Sequence, residues 1–138
     1  MYKSSTKLKV RYAETDQMGI VHHSNYYIYF ETAREDFISG AGISYKDMED
    51  IGIMMPLVET QCKYLHGAKY ADNLIIEVTL EELSAVKVIL QYKVIREEDN
   101  ILIAKGKTIQ TFVDKQTFKI LNLKKRNSEL WAKLEDLR

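Results

Sequence analysis

Helical spacing of apolar residues persists over one long segment only, and nearly everything after it alternates with a period of two. Tyr26, Phe30, Ala33, Phe37 and Ala41 stand three or four residues apart, so they share one face of a helix. Glu31, Arg34 and Glu35 fall on its other face, which reads as polar. Ser24 or Asn25 offers an N-cap, because a short side-chain oxygen accepts a free N–H of the first turn. Gly40 and Gly42 supply the stop. A short second helix is predicted from Ser44 to Asp50. A lone helix with so broad an aromatic face must be covered by another layer.

The strands that follow supply that layer. Val58, Thr60, Cys62 and Tyr64 alternate with Leu57, Glu59, Gln61 and Lys63. Leu74, Ile76, Val78 and Leu80 alternate with Ile75, Glu77, Thr79 and Glu81, and Val86, Val88, Leu90, Tyr92 and Val94 repeat the pattern. Glu97-Glu98-Asp99-Asn100 reads as a hairpin turn into a strand from Ile101 to about Val113. Asp114-Lys115-Gln116-Thr117 reads as a turn into a last short strand, Phe118 to Leu123. Ahead of the helix, Leu8, Val10 and Tyr12 alternate with Lys7, Lys9 and Arg11, giving a half-buried strand. Ser128 caps a terminal amphipathic helix carrying Leu130, Trp131, Leu134 and Leu137. Strands joined by short turns pair antiparallel. The expected class is α+β, a long helix wrapped by a curved antiparallel sheet of about five strands, plus a C-terminal helix.

At 138 residues, with one proline and no internal repeat, residues 1–138 read as a single domain. Twenty basic residues balance twenty acidic ones, so the charge points to neither nucleic acid nor an anionic membrane. No stretch approaches the ~20 apolar residues of a membrane helix. The lone cysteine, Cys62, cannot form an internal disulfide, and a reducing cytoplasm is the expected setting.

The loop into the helix holds the chemistry. It runs Glu14-Thr15-Asp16-Gln17-Met18-Gly19-Ile20-Val21-His22-His23-Ser24-Asn25-Tyr26. A helix start presents free N–H groups and partial positive charge, which suits a developing oxyanion. A nearby carboxylate can attack a thioester or activate water. On composition alone, an Asp shortly before a Gly is an ordinary turn former. His22 and His23 are adjacent, so their rings do not converge on one ion, and no third ligand stands at metal spacing. No metal site is expected.

The run Asp16-x-x-Gly19-Ile20-Val21-x-His23-x-Asn25-Tyr26, followed by Phe30-Glu31-x-Ala33-Arg34, resembles the signature of the 4-hydroxybenzoyl-CoA thioesterase-like hotdog family. It is most similar to the branch that includes the acyl-CoA thioesterases associated with the Tol–Pal system. Tyr70-Ala71-Asp72-Asn73-Leu74 resembles the family's Tyr-x-Asp-x-Leu element. The resemblance covers roughly residues 7 to 123.

The resemblance implies an acyl-CoA thioesterase that needs no metal and no redox cofactor. It implies a homodimer or homotetramer with active sites at the subunit interface. Asp16 matches the catalytic aspartate, as general base or as nucleophile. His23 matches the position whose backbone N–H polarises the thioester carbonyl. Gly19, His22 and Asn25 are the expected substrate-side residues, with Asn25 also a helix cap. Three alternatives share the fold: an acyl-carrier-protein thioesterase, a hydratase or dehydratase, and a non-catalytic acyl-binding protein. Hydratases of this kind place Asp and His five residues apart, whereas here His22 and His23 lie six and seven after Asp16.

Overall fold

The computed structural model of the chain describes residues 1–138. The element order is β1 (Lys3–Lys9), α1 (Ser24–Ser39), α2 (Tyr45–Asp50), β2 (Ile53–Met54), β3 (Leu57–Tyr64), β4 (Asn73–Leu83), β5 (Lys87–Arg96), β6 (Leu102–Thr111), β7 (Val113–Asp114), α3 (Leu123–Arg126) and α4 (Ser128–Glu135). Five strands form one antiparallel sheet in the order β1-β4-β5-β6-β3, and β2 pairs with β7.

Helix α1 lies across the inner face of this sheet. Phe30 and Ala33 are fully buried, and Tyr26 and Phe37 nearly so. The Phe30 ring stacks on Tyr92 of β5 with centroids 4.4 Å apart. It also lies against the backbone of Gly106 in β6, where a Cβ would collide with it. The helix therefore approaches the sheet closely because position 106 has no side chain. Tyr2 meets Phe37 edge-on at the other end. Burying a ring such as Phe30 contributes about 1.5–3 kcal/mol. Register shifts at Leu80/Glu82 and Val94/Ile95 interrupt the strands, and such bulges bend them. Helix α4 closes one end of the core with Leu130, Trp131, Leu134 and the following Leu137.

Several local expectations need correction. Strand β1 buries Ser4 and Thr6, and Tyr12 lies beyond it, 76 % exposed, in a 3₁₀ turn over Tyr12–Glu14. Helix α1 takes no side-chain cap from Ser24 or Asn25, because the cap position is His23. Arg34, placed on the polar face by periodicity, is buried. Its Nε donates to the Tyr45 hydroxyl (3.0 Å) and its Nη1 to the Tyr92 hydroxyl (3.2 Å). Phe118–Leu123 is not a strand: Asp114 accepts the N–H groups of Gln116 and Thr117, Phe118 has φ +59°, and only Ile120 bridges back to Val113. The segment then turns into α3, whose first residue, Leu123, is fully buried. Asn127, not Ser128, caps α4 through the Leu130 N–H.

Candidate active site

The loop between β1 and α1 is organised around Glu14. Its carboxylate is buried. It accepts hydrogen bonds from the Arg11 N–H (2.8 Å), the Arg11 Nε (3.1 Å) and the Tyr29 hydroxyl (2.9 Å). Burial pushes this carboxyl up, but those three donors and the Arg11 charge outweigh it and hold Glu14 below the ordinary glutamate range. Its main-chain oxygen accepts the His22 N–H (2.8 Å) and the Asn25 side-chain amide (3.0 Å). One residue thus ties the loop to the first turn of α1.

Thr15 and Val21 then bridge as a two-residue antiparallel pair. The turn they close is held by Asp16 N–H to Ile20 oxygen and Gly19 N–H to Asp16 oxygen, both 2.9 Å. Gly19 has φ +80°, where an L side chain would be strained. The Asp16 Oδ1 accepts the Met18 N–H at 2.8 Å, and Oδ2 has no partner in the chain. Asp16 is therefore a turn former through one oxygen only.

Asp16 and His23 line the same cavity, of about 270 Å³. Met18, Ile20, Val21 and Tyr26 complete its near wall, and Tyr64, Leu65, His66 and Gly67 form the far wall. The His23 N–H, at the cap of α1, has no acceptor in the chain. The neighbouring Ser24 N–H is taken by the His22 ring at 3.3 Å. The His22 and His23 rings lie 4.1 Å apart, and His23 meets Tyr64 at 6.4 Å. Burial first, then the neighbouring Cys62, raises the Tyr26 and Tyr64 phenols to about 12, so both are neutral donors near pH 7. Burial also pushes the Cys62 thiol up, which opposes a thiolate nucleophile.

Gly19, His22 and Asn25 are not among the residues lining the cavity. Gly19 shapes the turn. His22 is exposed and shares a 2.8 Å hydrogen bond with the Ser24 hydroxyl. Asn25 donates to the main-chain oxygens of Glu14 and His22, bracing the helix start. The far wall was absent from the sequence expectation. The small pair Gly67-Ala68, just ahead of the Tyr-x-Asp-x-Leu element, was its only local signal. His66 has its Nδ1 against the Leu102 oxygen at 3.2 Å. No group of three His, Cys, Asp or Glu residues stands close enough to hold a metal ion, and no helix is long and apolar enough to cross a membrane.

The site offers a carboxylate, an open N–H at a helix start and an apolar-walled cavity, which are the parts of an acyl-transfer centre. The sequence matches the model of the Thioesterase-like superfamily over residues 10–130. A Bacillus subtilis protein, YneP, named provisionally as an acyl-CoA thioesterase, is 33% identical over 125 residues, covering 91% of this chain and 90% of its own. The crystal structure of a DHNA-CoA thioesterase from Staphylococcus aureus superposes with a TM-score of 0.90 at 33% identity, over 99% of this chain and 93% of that one. A hypothetical protein from Thermus thermophilus superposes with a TM-score of 0.89 at 35% identity, over 99% and 98%. The match is to the superfamily as a whole, and likeness to the Tol–Pal-associated branch remains a resemblance. With the helix-and-sheet architecture described above, these findings establish that the chain belongs to the thioesterase-like superfamily of hotdog proteins.

Proposed function

We propose that this chain is a thioester hydrolase that converts an acyl-CoA and water to a free acid and CoA. The observation that carries the reading is the convergence of Asp16 and the open His23 N–H on one cavity. In the base route, Asp16 takes a proton from water as the oxygen attacks the thioester carbon. The carbonyl oxygen gathers negative charge against the His23 N–H. The C–S bond then breaks, and the thiolate recovers the proton. In the nucleophile route, Asp16 attacks directly, CoA thiolate leaves, and water cleaves the resulting anhydride. Neither route draws on a metal or a redox group. The names borne by relatives, acyl-CoA and DHNA-CoA thioesterases, support a CoA thioester and leave both aliphatic and aromatic acyl groups in play.

The working unit in this reading is a homodimer or homotetramer. Strand β3 is a free sheet edge, with Leu57 49 %, Val58 65 % and Tyr64 48 % exposed. An open, partly apolar edge of this kind favours pairing with a second copy. The far wall of the cavity begins at the end of that strand, so a partner seated there would enclose the site. The free Cys62 suits a reducing cytoplasm.

The test is a panel of acyl-CoA substrates of varied chain length, with one aromatic acyl group, read by thiol release. Turnover of at least one with equimolar free CoA is expected. An intact panel, or loss of an enoyl double bond without thiol release, would sink the reading.

A further inference from the structure

Two tyrosines stand out on the surface, each within four residues along the chain of one that lines the cavity. Tyr12 is 76 % exposed and Tyr70 60 % exposed, yet their rings meet with centroids 5.5 Å apart and planes tilted by 55°. Burial does not explain the pairing. The backbone enforces it. The Ala71 N–H donates to the Val10 oxygen (3.0 Å), and the Val10 N–H donates to the Asp72 oxygen (2.9 Å). These bonds clamp the end of β1 to the 69–72 turn. Ala71 itself has φ +70°, a conformation that residues other than glycine rarely adopt and that structure elsewhere must enforce. The turn it makes places Tyr70 against Tyr12. Two exposed rings set at this tilt form a wedge, and a flat aromatic ligand can stack on such rings.

Three basic residues flank the two tyrosines in sequence. Lys9, Arg11 and Lys69 are exposed. Arg11 uses only its Nε on Glu14, so its outer nitrogens remain open. Two nearby carboxylates are already engaged, Glu14 by Arg11 and Tyr29, and Asp72 by Arg96 at 3.4 Å, while Asp16, which lines the cavity, keeps one oxygen free. A flat π-system carrying several negative charges fits this surface. Aromatic side chains stack on any nucleobase, and flanking cations neutralise its phosphates.

The wedge also lies on the two segments that build the cavity. Tyr12 is four residues before Asp16, at most about 14 Å away along the chain. Tyr70 is three residues after Gly67, which lines the far wall. We propose that Tyr12 and Tyr70 form the platform for the adenine of CoA, with Lys9, Arg11 and Lys69 facing its phosphates. The pantetheine arm then runs from the wedge to the cavity. This inference rests on the acyl-CoA reading above and sharpens it. A carrier protein presents phosphopantetheine without adenine, so it would leave the wedge empty.

The experiment uses the full chain in its native oligomer and two readouts. The first is calorimetric binding of CoA, which requires no turnover. The second is KM for an acyl-CoA against KM for the same acyl group on pantetheine. Tyr12→Ala and Tyr70→Ala should each weaken CoA binding and raise the acyl-CoA KM about tenfold, within the range that base stacking supports. The pantetheine KM and both kcat values should stay unchanged. Tyr12→Phe and Tyr70→Phe keep the rings and should behave as wild type. The inference is overturned if the alanine variants bind CoA as tightly as wild type, or if both KM values rise together. If wild type binds CoA but cleaves no acyl-CoA, the proposed reaction fails while the binding arm still decides the platform.

Discussion

Arg34 and Asp16 are charged residues in opposite settings, one sealed in the core and one at the mouth of a cavity. Around Arg34 the polar groups are spent on one another. Its guanidinium donates to Tyr45 and Tyr92, and the Tyr92 hydroxyl lies 2.6 Å from the Thr108 hydroxyl. Around Asp16 they are held back. One carboxylate oxygen and the His23 N–H have no partner in the chain. A buried polar group without a partner is costly, so the Arg34 knot reads as architecture. Open polar groups converging on a cavity read as capacity for chemistry. The contrast implies that damage at the knot appears as lost stability and damage at the loop as lost turnover.

The largest effect should come from His23→Pro, which removes the free N–H. Losing one oxyanion donor costs about 10²–10³-fold in acyl-transfer sites. Circular dichroism and oligomer mass must first show the variant folded, and a folded variant with near-normal kcat would end the role given to that N–H. Asp16→Asn should follow, with kcat down at least ~10²-fold and an unchanged urea midpoint. Wild-type turnover in this variant would remove Asp16 from the mechanism.

Tyr92→Phe probes the other region. It strands Arg34 Nη1 and the Thr108 hydroxyl, so it should destabilise by about 1–3 kcal/mol. A lowered urea midpoint at constant slope, with kcat preserved in the folded protein, is the expected pair of results. Unchanged stability would show that the knot is not structural.

His23→Ala keeps the N–H and should stay within roughly tenfold of wild type, about one modest hydrogen bond. Abolished turnover would make the imidazole itself an acid–base partner. The smallest effect concerns Glu14. Its folded pKa is depressed, so its contribution to stability is complete above the ordinary glutamate pKa of about 4.3 and is lost as pH falls through the lower folded value. Melting temperatures of wild type and Glu14→Gln should therefore converge on acidification through that window. A gap that is independent of pH would contradict the assignment.

What could be read from the sequence was what is local. Tyr26, Phe30, Ala33 and Phe37 repeat with the helix and are buried by it, and Leu74 to Leu80 and Val88 to Val94 repeat with the strand. The motif placed Asp16 and His23 at one site on a single loop. Arg34 was misread because its partners, Tyr45 and Tyr92, lie 11 and 58 residues away, beyond any periodicity. The far cavity wall failed for the same reason, since pairing of β3 with β6 is what carries Tyr64–Gly67 along the sheet. Phe118–Leu123 has strand composition, but the Asp114 carboxylate claims the amides of the preceding turn. With Phe118 held at φ +59°, the return segment keeps only the bonds from Asp114 N–H to the Lys119 oxygen and from Leu121 N–H to the Phe112 oxygen before it turns into α3.

The hydrogen bond from the Met18 N–H to Asp16 separates aim from tuning. The carboxylate is oriented by main chain, so every residue except proline at position 18 keeps the same donor. The Met18 side chain is 77 % exposed and sits on the cavity rim. Substitution there can reshape the entrance without turning the carboxylate away. Under the proposed function, position 18 is thus a place where selection, natural or in the laboratory, can alter which acyl groups are admitted while the chemistry stays in register.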